Sequence, residues 1–104
     1  LIGVRNVFKG IEPSHKETIE QLVNGKNVRI ERIASFGDRS KDGFWYNQDE
    51  YEFVLLLKGR AQLIFENKSK VDLKEGDWLI IEPHERHRVE YTSKDATWLC
   101  VFYR

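Results

Sequence analysis

Between residues 28 and 103 the chain breaks into strand-length runs of β-branched, aromatic and aliphatic residues, each closed within a few positions by a turn signal. The runs lie at 28–36 and near 44–47, 51–57, 61–66, 70–73, 77–82, 86–92 and 96–103. The signals are Lys58-Gly59, Glu66-Asn-Lys-Ser69, Glu75-Gly76, Pro83-His84 and Ser93-Lys-Asp95, with a polar loop at Gly37–Gly43. Helices need longer runs with a 3.6-residue period, so this rhythm predicts an all-β sandwich or small barrel. There is no internal repeat and no low-complexity stretch.

Two runs constrain the architecture further. Phe53-Val-Leu-Leu-Leu57 and Trp78-Leu-Ile-Ile81 are apolar at successive positions. A strand sends successive side chains to opposite faces, so each of these must be covered twice. One face can line a barrel interior, and a second copy of the chain is the expected cover for the other: a homodimer. Ahead of the strands, Ser14 and Glu17 stand three apart, the spacing of a capping box. Ile19, Leu22 and Val23 follow at helical spacing before Asn24-Gly25. These signals predict one short N-terminal helix over about 14–23.

Length and charge set the remaining bounds. The 104 residues fit a single domain, 1–104, with one core, its barrel running from about 28 to 103. Seventeen basic residues balance seventeen acidic ones, so nothing electrostatic favours nucleic acid or an anionic membrane as a partner. No apolar run approaches the roughly 20 residues of a membrane helix. Cys100 is the single cysteine, and a chain without an internal disulfide is expected in the cytoplasm. Its setting, Thr97-Trp-Leu-Cys-Val-Phe102, predicts an inert core thiol.

The segment from Glu75 to Glu90 carries the chemistry. Gly76-Asp77 opens it, Pro83 makes a bend, and His87 enters a strand between Arg86 and Arg88. Here the chain resembles the cupin superfamily of small jelly-roll barrels (double-stranded β-helices). In its second motif a Gly is followed by five residues, Pro, one residue, Gly, two residues and His. Gly76 and His87 stand in that register, whereas Glu82 holds the Pro place and His84 the second Gly place. In its first motif two histidines precede a Glu, and a Gly follows after six residues. Glu52 and Gly59 match. The histidine places are held by Tyr46 and Gln48, or, with a gap one residue longer, by Trp45 and Asn47. The resemblance spans about 28–103 and is to a small cupin subgroup of unassigned function with a degenerate first motif.

Parity favours Tyr46, Gln48 and Glu52, which share one face if the segment is extended. From the other motif His87, Val89 and Tyr91 should point inward, with Arg86 and Arg88 outward, paired to Glu82 or Glu90. A bulge at Asn47-Gln48 would bring in Trp45 and Asn47 instead. The resemblance implies a metal ligand at His87, so Gln48, Glu52 and His87 are candidate ligands for a divalent ion, Mn, Fe, Ni or Zn. One imidazole, one carboxylate and one amide make a weak set. The alternative is a metal-free polar pocket ordered by a Glu52–His87 pair. Either version expects a small-molecule ligand in the barrel, with Glu52, His87 and Tyr46 as catalytic candidates. The family analogy allows a dioxygenase or a sugar isomerase or epimerase; a binding or partner-binding module without chemistry is the other class. His84 is a lesser candidate for a two-histidine site, His15 belongs on the surface, and Trp45, Trp78 and Trp98 are either pocket mouth or core.

Overall fold

A computed structural model describes residues 2–104. It contains eight strands: β1 Thr18–Asn24, β2 Val28–Ala34, β3 Tyr51–Lys58, β4 Arg60–Phe65, β5 Lys70–Lys74, β6 Trp78–Ile81, β7 His87–Thr92 and β8 Thr97–Tyr103. Every pairing is antiparallel. A five-stranded sheet in the order β1-β2-β8-β3-β6 faces a three-stranded sheet in the order β5-β4-β7. Between them lies one core, in which Val54, Leu56, Leu63, Leu73, Ile81, Trp98 and Cys100 are buried. Leu56 is fully sequestered, and a leucine so placed contributes about 1.5–3 kcal/mol of burial free energy. This is the expected jelly-roll architecture.

The helix expected over 14–23 is not formed; Thr18–Asn24 is an edge strand paired along its length with β2. Local hydrogen bonds explain the difference. Ser14 Oγ accepts from the Lys16 amide at 3.1 Å, two residues on, and so does not cap a helix. The Glu17 amide, which a capping box would give to Ser14, donates instead to Asp38 Oδ2 at 3.1 Å. Thr18, Ile19 and Val23 are β-branched and favour an extended backbone when a strand edge is offered. The register shifts between Gln21 and Val23, so Ile19 pairs with Ile33 but Val23 with Ile30. That bulge puts Ile19 and Val23 on opposite faces.

Two smaller corrections bear on the site. Residues 44–47 form no strand; Tyr46 alone bridges to His87, its amide donating to the His87 carbonyl at 2.7 Å. Tyr91 does not face inward: the β4–β7 register slips between Gln62 and Leu63, opposing Val89 to Leu63 and Tyr91 to Gln62. The extra residue, Glu90, reverses the alternation, leaving Tyr91 exposed and Thr92 buried.

The outer face of the large sheet is apolar, as the two doubly apolar runs require. Trp78 and Ile80 of β6 are 59 % and 46 % exposed there, and Phe53 packs against Trp78. The β2 end of the same face is covered by the N-terminal segment. Buried Arg32 holds it, donating to the carbonyls of Val7 and Lys9 and to Glu20 Oε2 at 2.6 Å.

Candidate functional site

One end of the barrel interior is hollow. The cavity measures about 240 Å³, room for about eight waters and on the scale of a small metabolite. Its walls are Ile19, Ile33, Val54, Leu63, Ile81, Val89, Trp98 and Phe102. Into it project Tyr46, Gln48, Glu52 and His87, the set that strand parity selected, joined by Glu17, Arg29, Glu31 and Cys100.

Each side chain is placed by a backbone device. Glu52 opens β3, where it pairs with Ile81 on one side and Phe102 on the other. His87 opens β7 directly after the Pro83-His84 bend. At that bend His84 adopts φ +63°, the left-handed region that favours glycine, in the place where the cupin motif carries one. The strain is held by two contacts. The His84 amide donates to the Gln48 carbonyl at 2.7 Å, and His84 Nδ1 lies 3.0 Å from Asn47 Oδ1. His84 therefore fixes the 47–48 segment, turning Asn47 outward and Gln48 inward. It does not join His87 in a two-histidine site.

Inside, Gln48 Nε2 donates to Glu52 Oε1 at 2.8 Å, and His87 Nε2 lies 3.7 Å from the same oxygen. His87 Nδ1 is 2.8 Å from the Glu85 carbonyl, which can only accept, so Nδ1 carries a proton. In the neutral ring that leaves the Nε2 lone pair toward Glu52 and the cavity. The Tyr46 ring stacks on the imidazole at 5.3 Å and 22°. Burial pushes the Glu52 carboxyl above its usual range, outweighing the opposing contacts with Gln48, His87 and Cys100. Burial, reinforced by the charges of Glu17 and Glu52, pushes the Tyr46 hydroxyl up to about 12. The site thus presents two groups disposed to hold protons beside one disposed to accept.

Cys100 is buried in the cavity wall, and burial with the neighbouring Glu52 charge raises its thiol well above the usual range, the behaviour of an inert thiol. Of the tryptophans only Trp98 reaches the cavity; it is buried, with Nε1 donating to Ser35 Oγ at 2.8 Å. Trp78 lies on the outer sheet face, and Trp45 sits beside the Arg88 guanidinium. Arg86 and Arg88 stay out of the cavity. Arg86 pairs with Glu66 at 2.9 Å, not with Glu82, while Arg88 approaches Glu90 at 3.7 Å and donates to the Ser40 carbonyl. His15 is exposed.

Sequence reasoning missed Glu17, Arg29 and Glu31. A signal for two of them existed: Arg29, Glu31 and Ile33 alternate along β2 and oppose the inward Phe102, Cys100 and Trp98 of β8. Glu17 had none, since its position depends on the hydrogen bond that its backbone amide donates to Asp38 in a distant loop.

The donor set can be tested against a resident metal. Among the described residues no group of three or more His, Cys, Asp and Glu side chains is gathered closely enough to hold an ion. Gln48 turns its NH2 rather than its carbonyl oxygen to Glu52. One imidazole and one carboxyl whose burial favours its proton are left, and this set does not fit a tightly held transition ion.

Residues 37–102 match the cupin domain family, and the chain belongs to it. The chain is 33 % identical over 89 residues to an L-ectoine synthase of Rhodococcus erythropolis, covering 73 % of this chain and 67 % of that one. Among solved structures, a Ralstonia eutropha protein provisionally described as a mannose-6-phosphate isomerase superposes with a TM-score of 0.92 at 32 % identity, over 98 % of both chains. A cupin superfamily protein of Desulfitobacterium hafniense superposes at 0.77 over 89 % of this chain and 83 % of its own, and at 20 % identity it shows the fold alone. Among the described residues no helix is long and apolar enough to cross a membrane.

Proposed function

We propose that this cupin binds a small molecule in the barrel and moves protons on it, with His87 Nε2 as the base and Glu52 and Tyr46 as the acids. The observation that carries this reading is the geometry of His87. It is 4 % exposed, its Nδ1–H is fixed on the Glu85 carbonyl, and its Nε2 faces the cavity without a hydrogen-bond partner. Nε2 opens on the cavity, where a donor on a bound ligand can reach it. Proton abstraction at one carbon or heteroatom and return at a neighbouring one, as in isomerisation or cyclisation, needs such a base with an acid nearby. Glu52 Oε1 is 3.7 Å from Nε2, and the Tyr46 ring lies over the imidazole.

Metal-dependent chemistry, including a dioxygenase reaction, is the weaker reading because Gln48, Glu52 and His87 supply too few strong donors. A phosphorylated sugar is disfavoured on charge. Arg29, the cation of the lining, is already held by Glu31 at 3.0 Å and by Glu50 at 3.2 Å.

The test is turnover of a panel of small carbonyl, hydroxy and amino compounds, followed by solvent deuterium incorporation and run beside elemental analysis of the untagged protein. Deuterium should enter a substrate with the metal-free protein, and His87→Gln should lower the rate by about 100-fold or more. Full exchange by that variant overturns the reading, and near one metal per chain, lost in His87→Gln, transfers it to metal chemistry.

The apolar outer face of β3 and β6 supports a second proposal, that two copies pair there about a two-fold axis. Light scattering at micromolar concentration should give twice the mass of the chain, and Trp78→Glu should halve it. A single-chain mass for the unaltered protein rejects the pairing.

A further inference from the structure

The cavity has a charge imbalance that the proton-transfer reading does not use. Two carboxylates, Glu17 and Glu31, line it beside the proton-holding Glu52, against the single guanidinium of Arg29. Arg29 is not available to offset them. Its Nε lies 3.0 Å from Glu31 and its Nη1 3.2 Å from Glu50, and the guanidinium sits 4.1 Å over the Phe102 ring. That group of one cation and two carboxylates is itself negative. Glu17 has no ion-pair partner among the described residues, and its neighbours Asp38 and Glu31 add like charge to the burial that raises its carboxyl.

A surface carboxylate would be solvated and mean nothing. Here the acidic groups flank a cavity that also holds an unpartnered polar group. The His87 side chain is 5 % exposed, and its Nε2 looks into the same space with no hydrogen-bond partner. The two observations are independent, because one concerns the charges of Glu17 and Glu31 and the other a lone pair that opens on the cavity. Together they describe what the occupant must bring: a positive charge for the Glu17 side and a hydrogen-bond donor or transferable proton for His87. Apolar walls of Ile33, Trp98 and Phe102 lie around them.

We propose that the cavity selects a small organic cation, an amine with a compact apolar body, with its ammonium held by Glu17 beside Glu31. This names the substrate class of the site and rests on the reading that the cavity is a ligand site facing His87. A neutral polyol could bond to the same oxygens but would leave the like charges of Glu17, Glu31 and Asp38 uncompensated. An anion would add to them.

The probes are three molecules of one skeleton: cyclohexylmethylamine, cyclohexylmethanol and cyclohexanecarboxylate. Binding is followed by amide chemical shifts of the full chain, which report location at Trp98, Cys100 and His87 as well as affinity. The amine should move those amides and bind at least about tenfold more tightly than the alcohol. Glu17→Gln should remove most of that preference, whereas Glu66→Gln, outside the cavity, should keep it. Raising salt should weaken the amine and leave the alcohol unchanged, a measurement on the unaltered protein that stands even if Glu17→Gln does not fold. If the alcohol or the acid binds the cavity as tightly as the amine, or salt has no effect, the cation proposal is overturned and the ligand site stands. If none of the three moves a cavity amide, both fall together.

Discussion

The two ends of β3 carry the two halves of one sequence motif and do opposite things with their polar groups. At the far end, beyond Gly59, the groups are closed on each other. The Arg60 amide donates to Ser93 Oγ at 2.9 Å, Ser93 Oγ donates to Asp95 Oδ1 at 2.7 Å, and Thr97 Oγ1 donates to the Asp95 carbonyl. Those groups are largely exposed, whereas at the near end Glu52 and His87 are buried, and His87 Nε2 has no hydrogen-bond partner, the nearest carboxylate oxygen being 3.7 Å away. Buried polar groups that hold a fold are satisfied internally, because each unpaired one costs stability. A polar group that opens on a cavity can take a ligand's hydrogen bond. The two ends thus differ in burial and in pairing together.

Breaking the closed end should have the larger effect. Gly59 has φ +87°, and a Cβ there would lie 2.4 Å from Ser93 Oγ and 2.8 Å from Ala96 Cα. Gly59→Ala should therefore cost about 2 kcal/mol or more, lowering Tm by about 8 °C or more in thermal unfolding. His87→Gln at the open end should shift Tm by much less while lowering exchange by about 100-fold or more. Equal Tm losses in the two variants would mean that both ends serve the fold alike.

A smaller effect sharpens the comparison. Burial and the neighbouring Asp38 and Glu31 raise the Glu17 carboxyl above its ordinary 4.5. A raised acid contributes stability below the unfolded value and loses it as pH rises through the folded one. The charged Glu17 therefore destabilises the protein at neutral pH. Glu17→Gln should raise Tm at pH 7, by under about 4 °C since a partly exposed charge is screened, and leave it unchanged at pH 4. A variant with lower Tm at pH 7 would mean that Glu17 already has a stabilising partner.

Much of this was written in local sequence. The strand rhythm, the two-faced runs at 53–57 and 78–81, and the places of Glu52, Gly59, Gly76 and His87 need only period and spacing. The parity that chose Tyr46 and Gln48 over Trp45 and Asn47 needs only an extended backbone, and the structure turns those two inward even without a regular strand at 44–47. Where parity was carried past a bulge it failed, as at Tyr91, because an inserted residue is invisible until the neighbouring strand fixes the register.

The sequence by itself determined an all-β chain and the cupin arrangement of Glu52 and His87, because strand periodicity and turn chemistry are local. Only the tertiary structure decided that residues 18–24 become a strand, that His84 takes the left-handed bend, and that Glu17, Arg29 and Glu31 join the cavity. Those outcomes depend on which distant groups come within hydrogen-bonding or Coulomb range: Asp38 for Glu17, Gln48 for His84, Glu50 for Arg29. Distances of that kind are set when the sheets pair, and no spacing along the chain records them.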